Sequence, residues 1–249
     1  MCATKSVPGR TLNATIVKTG AKLPQKREKF DPKRDLAPER IKELLKRLAA
    51  AYPNAECALH HRNAWELLVA TVLSAQCTDA RVNMVTPELF RQFPTPNAMA
   101  EAPLPAIEEL IRSTGFYRNK AKSIKGAAQK IVSDFDGNVP RTMAELLTVP
   151  GAARKTASVV LGVAYGLAEG IVVDTHVLRI SRRLHLTRET DPKKVEQDLM
   201  KIIPRDRWIS FSHEVIHHGR QTCIARKPKC AECPLETLCT SADKTWSSY

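Results

Sequence analysis

The sequence predicts an all-α fold. Three observations carry that prediction. Apolar residues recur at helical spacing in most segments after residue 35. Capping residues open those segments, and Gly or Pro closes them. No segment alternates like a half-buried strand: "GIVVD" is the one strand-like run, too short and isolated to build a sheet. About ten short helices joined by loops of ordinary length are expected. No fixed-period repeat is visible.

The elements follow in order. "LAPERIKELLKRLAAAY" places Pro38 at a first helical position, with Ile41, Leu44, Leu45 and Leu48 on one face. "NAWELLVATVLSAQ" opens on an Asn63 cap and is apolar enough to be a core helix. "TDARVNMVTPELFRQF" caps at Thr78 or Asp79, and Pro87 is expected to kink or split it. "LPAIEELIRSTG" ends at Gly115. "RNKAKSIKGAAQKIVSDF" has Ala121, Ile124, Ala128, Ile131 and Val132 along one side. "TMAELLTVPG" is a short helix broken at Pro150, followed by "ARKTASVVLGVAYG". "DTHVLRISRRLHL", "DPKKVEQDLMKIIP" and "DRWISFSHEVIHHGRQ" complete the set.

The chain has 249 residues, room for one large or two small domains. Lys and Arg number 39 against 26 Asp and Glu, a net charge of +13. That excess favours a polyanionic partner, most simply nucleic acid. The first 35 residues hold nine Lys/Arg against three Asp/Glu and no apolar periodicity, so residues 1–35 are expected to be a disordered basic arm. The longest uncharged apolar run, Thr156 to Ala168, falls well short of the roughly 18 residues a membrane span needs. No apolar signal-peptide core follows the N-terminus. An intracellular, DNA-associated protein is expected.

Four of the seven cysteines lie in the last 27 residues. In "CIARKPKCAECPLETLC", Cys223, Cys230, Cys233 and Cys239 are spaced C-x6-C-x2-C-x5-C. Without a secretory signal, a disulfide framework is a poor explanation. Four soft thiolates in one polar loop suit zinc or an iron–sulfur cluster. Zinc sites usually join two short Cys pairs across a longer segment. One C-x2-C flanked by single cysteines fits a bulky [4Fe–4S] cube better, although spacing alone leaves zinc open. Arg226, Lys227 and Lys229 project from the same loop, either as solvated charge or as phosphate contacts held in place by the cluster.

"AELLTVPGAARKTASVV" reads as helix, tight Pro150-Gly151 turn, helix. Such a hairpin offers backbone N–H groups beside a helix N-terminus, suited to a phosphate oxygen. Lys155 sits in the first turn, where the helix dipole disfavours positive charge. Nineteen residues later comes Asp174, at the N-cap position of the next helix. Taken alone, Lys155 reads as a surface lysine and Asp174 as a cap.

Together these segments resemble the endonuclease III family of DNA glycosylases. "LLVATVLSAQCTDARVN", "TGFYRNKA", "VPGAARKTASVVL", "VVDTHVLRI", "HHGRQTCIARKPKC" and the four-cysteine pattern occur in the family's order, covering roughly residues 36–240. The resemblance implies two helical domains with double-stranded DNA carrying a damaged base in the cleft between them, and a monomeric protein. One domain is a barrel near residues 57–167; the other joins 36–56 to 168–249 and carries the cluster. It implies that Lys155 is the nucleophile of a bifunctional glycosylase and abasic-site lyase acting on oxidised pyrimidines, and Asp174 its catalytic carboxylate. The helix end, Arg154 and partial burial are expected to help the Lys155 amine lose its proton. Gln76 and Phe116 are implied to fill the gap left by a flipped base, with Phe116 standing where an aliphatic residue is expected. His176, two residues after Asp174, does not share its helix face and reads as packing or a hydrogen bond. Gly151, Ala153 and Arg154 are candidate DNA contacts. The family's hairpin reads Gly-x-Gly, so Ala153 is expected to cost strain or contact if its position needs φ > 0 or touches phosphate closely. A monofunctional adenine glycosylase is the alternative within the family, disfavoured by Lys155 and by the short segment after Cys239. A non-catalytic DNA-binding protein retaining the fold is the alternative outside it.

Overall fold

A computed structural model describes residues 29–246. Twelve α-helices and short 3-10 turns, with no strand, make up the described residues. The helices are α1 (Pro32–Asp35), α2 (Pro38–Ala51), α3 (Ala64–Leu73), α4 (Asp79–Gln92), α5 (Pro96–Glu101), α6 (Leu104–Ile111), α7 (Tyr117–Phe135), α8 (Met143–Leu146), α9 (Arg154–Tyr165), α10 (Thr175–Arg183), α11 (Pro192–Ile202) and α12 (Trp208–Gln221).

The caps read from the sequence form. Asn63 accepts from the Glu66 amide at 2.9 Å, and Thr78 from the Arg81 amide at 3.3 Å. Pro38 occupies the first turn of α2. One element differs in continuity: α4 runs unbroken through Pro87. The proline removes one backbone hydrogen bond without splitting the helix, and Val82, Thr86, Leu89 and Phe90 stay buried along the inner face of both halves. The expected arm also ends earlier than residue 35. Asp31 caps α1, and the Asp35 carboxylate is fully buried against Arg34 and His185. A four-residue helix is too short to show periodicity, so charge density hid it. The rest of the arm lies outside the described residues.

Buried apolar side chains fall into two clusters. The first runs from Leu59 to Leu161, around α3, whose residues are nearly all buried and which packs on α4, α7 and α9. The second joins Ile41–Leu48 of α2 to Ile171–Leu235, with Phe211 and Val215 of α12 at its centre and α10 and α11 around them. Each fully buried Leu or Phe contributes roughly 2 kcal/mol. The chain crosses from the first cluster to the second at Gly166–Val173. A cleft remains between the clusters, with α3 and α9 on one side and α10 and α12 on the other. Arg220 of α12 reaches Asp79 of α4 across it at 2.6 Å.

Candidate functional site

The hairpin joins α8 to α9. Gly151 takes φ +81°, which an L side chain rarely adopts. A Cβ there would also stand 3.0 Å from Ser123 Cβ and 3.3 Å from Val72 Cγ2. Conformation and space both require glycine. Ala153 differs: φ −67° and ψ 166° are ordinary extended backbone. The strain expected from replacing a second glycine is therefore absent, because only Gly151 carries the left-handed turn. No side chain caps α9. The amides of Gly151 and Ala153 donate to no group among the described residues, and both residues are exposed. Open donors beside a positive helix end are suited to a phosphate oxygen.

Lys155 and Asp174 line one cleft of about 840 Å³, counting its open mouth, together with Ser74, Val159, Ile209 and His213. Asp174 caps α10 in full: Oδ1 accepts from the His176 and Val177 amides, each at 2.8 Å. Oδ2 lies 2.9 Å from His176 Nδ1, and because a carboxylate only accepts, the ring nitrogen donates. Cap and cleft residue are thus the same side chain, fixed by three donors. His176 makes the hydrogen bond expected of it.

Two expectations about Lys155 need correction. The side chain is exposed rather than partly buried. Its neighbour Arg154 is not an uncompensated charge: Nε and Nη2 donate to Glu196 at 3.1 and 3.0 Å. Glu196 lies on α11, so the pair ties the start of α9 to the second cluster. Gly170 passes so close that a Cβ there would overlap Glu196 Oε1 at 2.1 Å. Burial lowers the His213 pKa, with His217 adding to the effect and Glu56 opposing it.

Gln76 and Phe116 are both exposed and both left-handed, at φ 52° and 47°. Gln76 follows α3, and Phe116 immediately precedes α7. Phe116 is 66% exposed, among the most exposed large apolar side chains described. Positive φ on non-glycine residues stores strain, and such strain concentrates at functional sites.

All four loop cysteines line one pocket, walled by Ile180, Leu184 and Leu235. Burial pushes the Cys233 thiol up to about 12 and raises that of Cys239. Four sulfurs gathered in so dry a pocket suit a cationic inorganic core. Among the described residues no three His, Cys, Asp or Glu side chains group closely enough for a single metal ion. All four cysteines nevertheless line the one pocket, and four thiolates are the donor set of a [4Fe–4S] cube. Donors already point at the sulfurs: Arg183 Nη1 lies 3.2 Å from Cys223 and the Thr245 amide 3.3 Å from Cys230. Arg183 also holds the loop's backbone, donating to the Ile224 and Ala225 carbonyls at 2.9 and 3.0 Å. Arg226, Lys227 and Lys229 are exposed on that pinned loop, without an ion-pair partner among the described residues.

Sequence reasoning missed Glu196, Arg183 and Lys120. Glu196 lies 42 residues from Arg154, so no local pattern announces the pair. Arg183 was one cation among several in "RISRR". Lys120 lies inside "TGFYRNKA", where no local pattern marks its ammonium as buried.

Comparison with known proteins agrees with this geometry. Residues 69–205 match the HhH-GPD superfamily of base excision DNA repair proteins, and residues 223–239 match the iron–sulfur binding domain of endonuclease III. The cofactor is a [4Fe–4S] cluster. The endonuclease III of Synechocystis sp. is 57% identical over 204 residues, covering 82% of this chain and 93% of the relative. That of Bacillus subtilis is 45% identical, covering 83% and 94%. A solved non-covalent endonuclease III–DNA complex superposes with TM-score 0.77 at 46% identity, covering 82% of this chain and 95% of that one. A trapped covalent endonuclease III–DNA intermediate matches equally well. From the hairpin, the cleft, the cysteine loop and these likenesses together, the chain belongs to the endonuclease III family of helix–hairpin–helix base-excision DNA glycosylases.

Proposed function

We propose that the protein is a bifunctional glycosylase and abasic-site lyase that removes oxidised pyrimidines from double-stranded DNA, acting as a monomer. One observation carries the reading: Lys155 and Asp174 line the same cleft, at the mouth of the anion-binding hairpin. The covalent protein–DNA intermediate trapped in a relative of 46% identity supports it.

The residues divide the work. The open amides of Gly151 and Ala153 hold a backbone phosphate. Arg226, Lys227 and Lys229 contact phosphates farther along, on a loop held by Cys223, Cys230, Cys233 and Cys239. When bound, the [4Fe–4S] cluster supplies a rigid cross-link for that loop rather than a reacting atom. Gln76 and Phe116 enter the space vacated by the extruded nucleotide, and the Phe116 ring stacks on the orphan base.

Chemistry then falls to Lys155. In the free protein its amine is solvated; bound DNA covers it. The neutral amine attacks C1′, the glycosidic bond breaks, and the base leaves with the bonding pair and takes up a proton. Asp174 stabilises the positive charge that develops on the sugar. Loss of the Nζ proton and ring opening give an iminium at C1′. That group acidifies C2′–H, and loss of this proton expels the 3′ phosphate. Hydrolysis of the iminium frees Lys155.

A lesion-panel assay tests the reading. Duplexes with an oxidised pyrimidine should be nicked without added base, while adenine mispairs stay intact. Base release without nicking, or preference for the adenine mispair, would favour a monofunctional enzyme.

A further inference from the structure

Lys120 lies in the first turns of α7 and is only 6% exposed. A buried ammonium must be hydrogen-bonded or it is costly. Lys120 Nζ donates to the Leu73 carbonyl at 2.8 Å and to the Thr114 carbonyl at 2.8 Å. These acceptors lie 47 and six residues away in sequence. Burial lowers the Lys120 pKa.

The positions of the two carbonyls give the contact its meaning. Leu73 ends α3, and Gln76 follows three residues later. The carbonyls of Ala70, Thr71 and Val72 are taken up within the turn by Ser74 and Ala75. Lys120 satisfies the Leu73 carbonyl, and its charge complements the negative end of α3. Thr114 ends the 3-10 turn before Gly115, and Phe116 follows two residues later. One side chain therefore joins the roots of two loops, each carrying an exposed, left-handed residue directed to the DNA gap. Each loop has a local hydrogen bond of its own, the Cys77 amide to the Ser74 carbonyl at 3.1 Å and the Lys120 amide to the Phe116 carbonyl at 3.1 Å, but neither of these ties one loop to the other.

We propose that Lys120 is a positioning residue that locks the Gln76 and Phe116 loops into one wedge, so that both enter the DNA stack together. The proposal rests on the roles given above to Gln76 and Phe116. Lys120 touches neither substrate nor reacting atoms.

The test uses holoenzyme and a duplex with 2-aminopurine opposite a tetrahydrofuran abasic analogue. Binding by the wild type should change the 2-aminopurine emission. Lys120→Met and Lys120→Gln should lose most of that change, and at least tenfold in kcat on lesion duplex. They should still trap single-stranded abasic DNA within about twofold of wild type, since no stack needs filling there. Adding Lys120→Met to Gln76→Ala/Phe116→Ala should cost less than twofold more. Lys120→Arg, which keeps charge and donors, should recover part of the emission change.

Wild-type emission in Lys120→Met would overturn the proposal. So would a further tenfold loss on top of the double variant, or equal losses on duplex and single strand. If neither neutral variant keeps a cooperative melt and cluster absorbance, Lys120 is a stability residue and the positioning role falls. The analogue has no glycosidic bond, so the emission readout is independent of whether Lys155 is the nucleophile.

Discussion

Arg154 and Glu196 are joined by two hydrogen bonds, Nε to Oε2 at 3.1 Å and Nη2 to Oε1 at 3.0 Å. The pair runs from the first turn of the hairpin helix to α11, and so from one apolar cluster to the other. It fixes the backbone next to Lys155 without adding free charge to the cleft.

This pairing sets Arg154 apart from the loop cations. Arg154→Ala should leave the slope of log K against log[salt] for duplex binding nearly unchanged. Arg226→Ala, Lys227→Ala and Lys229→Ala should each lower it by about 0.9. Arg154→Ala should instead lower stability by about 1 kcal/mol, a modest amount because its side chain is 44% exposed. Binding titrations at several salt concentrations and denaturant unfolding check both.

Substitutions in the hairpin should divide between its two small residues. Gly151→Ala forces a side chain into φ +81° and against Ser123. A loss of about 1–3 kcal/mol and weaker binding to abasic duplex should follow. Ala153→Gly relieves no strain, so affinity should stay within about twofold and stability within about 0.5 kcal/mol. A clear gain in affinity would show that the Ala153 methyl obstructs the phosphate.

Gly219 on α12 supports the other half of the site. A Cβ there would stand 2.8 Å from Ile180 Cδ1 and 3.0 Å from His176 Cβ and Cδ2. Gly219→Ala should push the start of α10, with Asp174 and His176, away from its place. A stability loss of about 1–3 kcal/mol is expected, together with a fall in kcat larger than the fall in DNA affinity. Single-turnover kinetics at saturating enzyme separates the two.

For the cysteine loop, holoprotein should absorb near 400 nm and hold about four irons per chain. Stoichiometric zinc in protein purified without air would contradict this. Arg183→Met removes the hydrogen bonds to Cys223 and to the loop carbonyls, so its absorbance should bleach faster in air. Binding to undamaged duplex should weaken with it.

Much of this architecture was legible because local signals and tertiary contacts agree. Asn63, Thr78 and Asp174 cap where their types predict, and the apolar stripes of α2 and α7 face the cores. The four cysteines announced themselves by composition and spacing. Pairings between distant segments were not legible. Nothing near Lys120 in sequence says that its ammonium meets Leu73, and nothing near Arg154 points to Glu196. The exposure of Lys155 was misjudged for a related reason. The residues after it pack into the first core, but the first turn faces the cleft, and sequence periodicity does not report a gap between two cores. The expected strain at Ala153 came from a glycine pattern, whereas the backbone places the left-handed residue at Gly151.

The most direct test of the account is borohydride trapping on a duplex with one abasic site, followed by peptide mapping of the adduct. The account predicts a covalent protein–DNA species in the wild type, attached through Lys155 Nζ and lost in Lys155→Ala. An adduct that persists undiminished in Lys155→Ala, or none from wild type that binds the duplex, would contradict it.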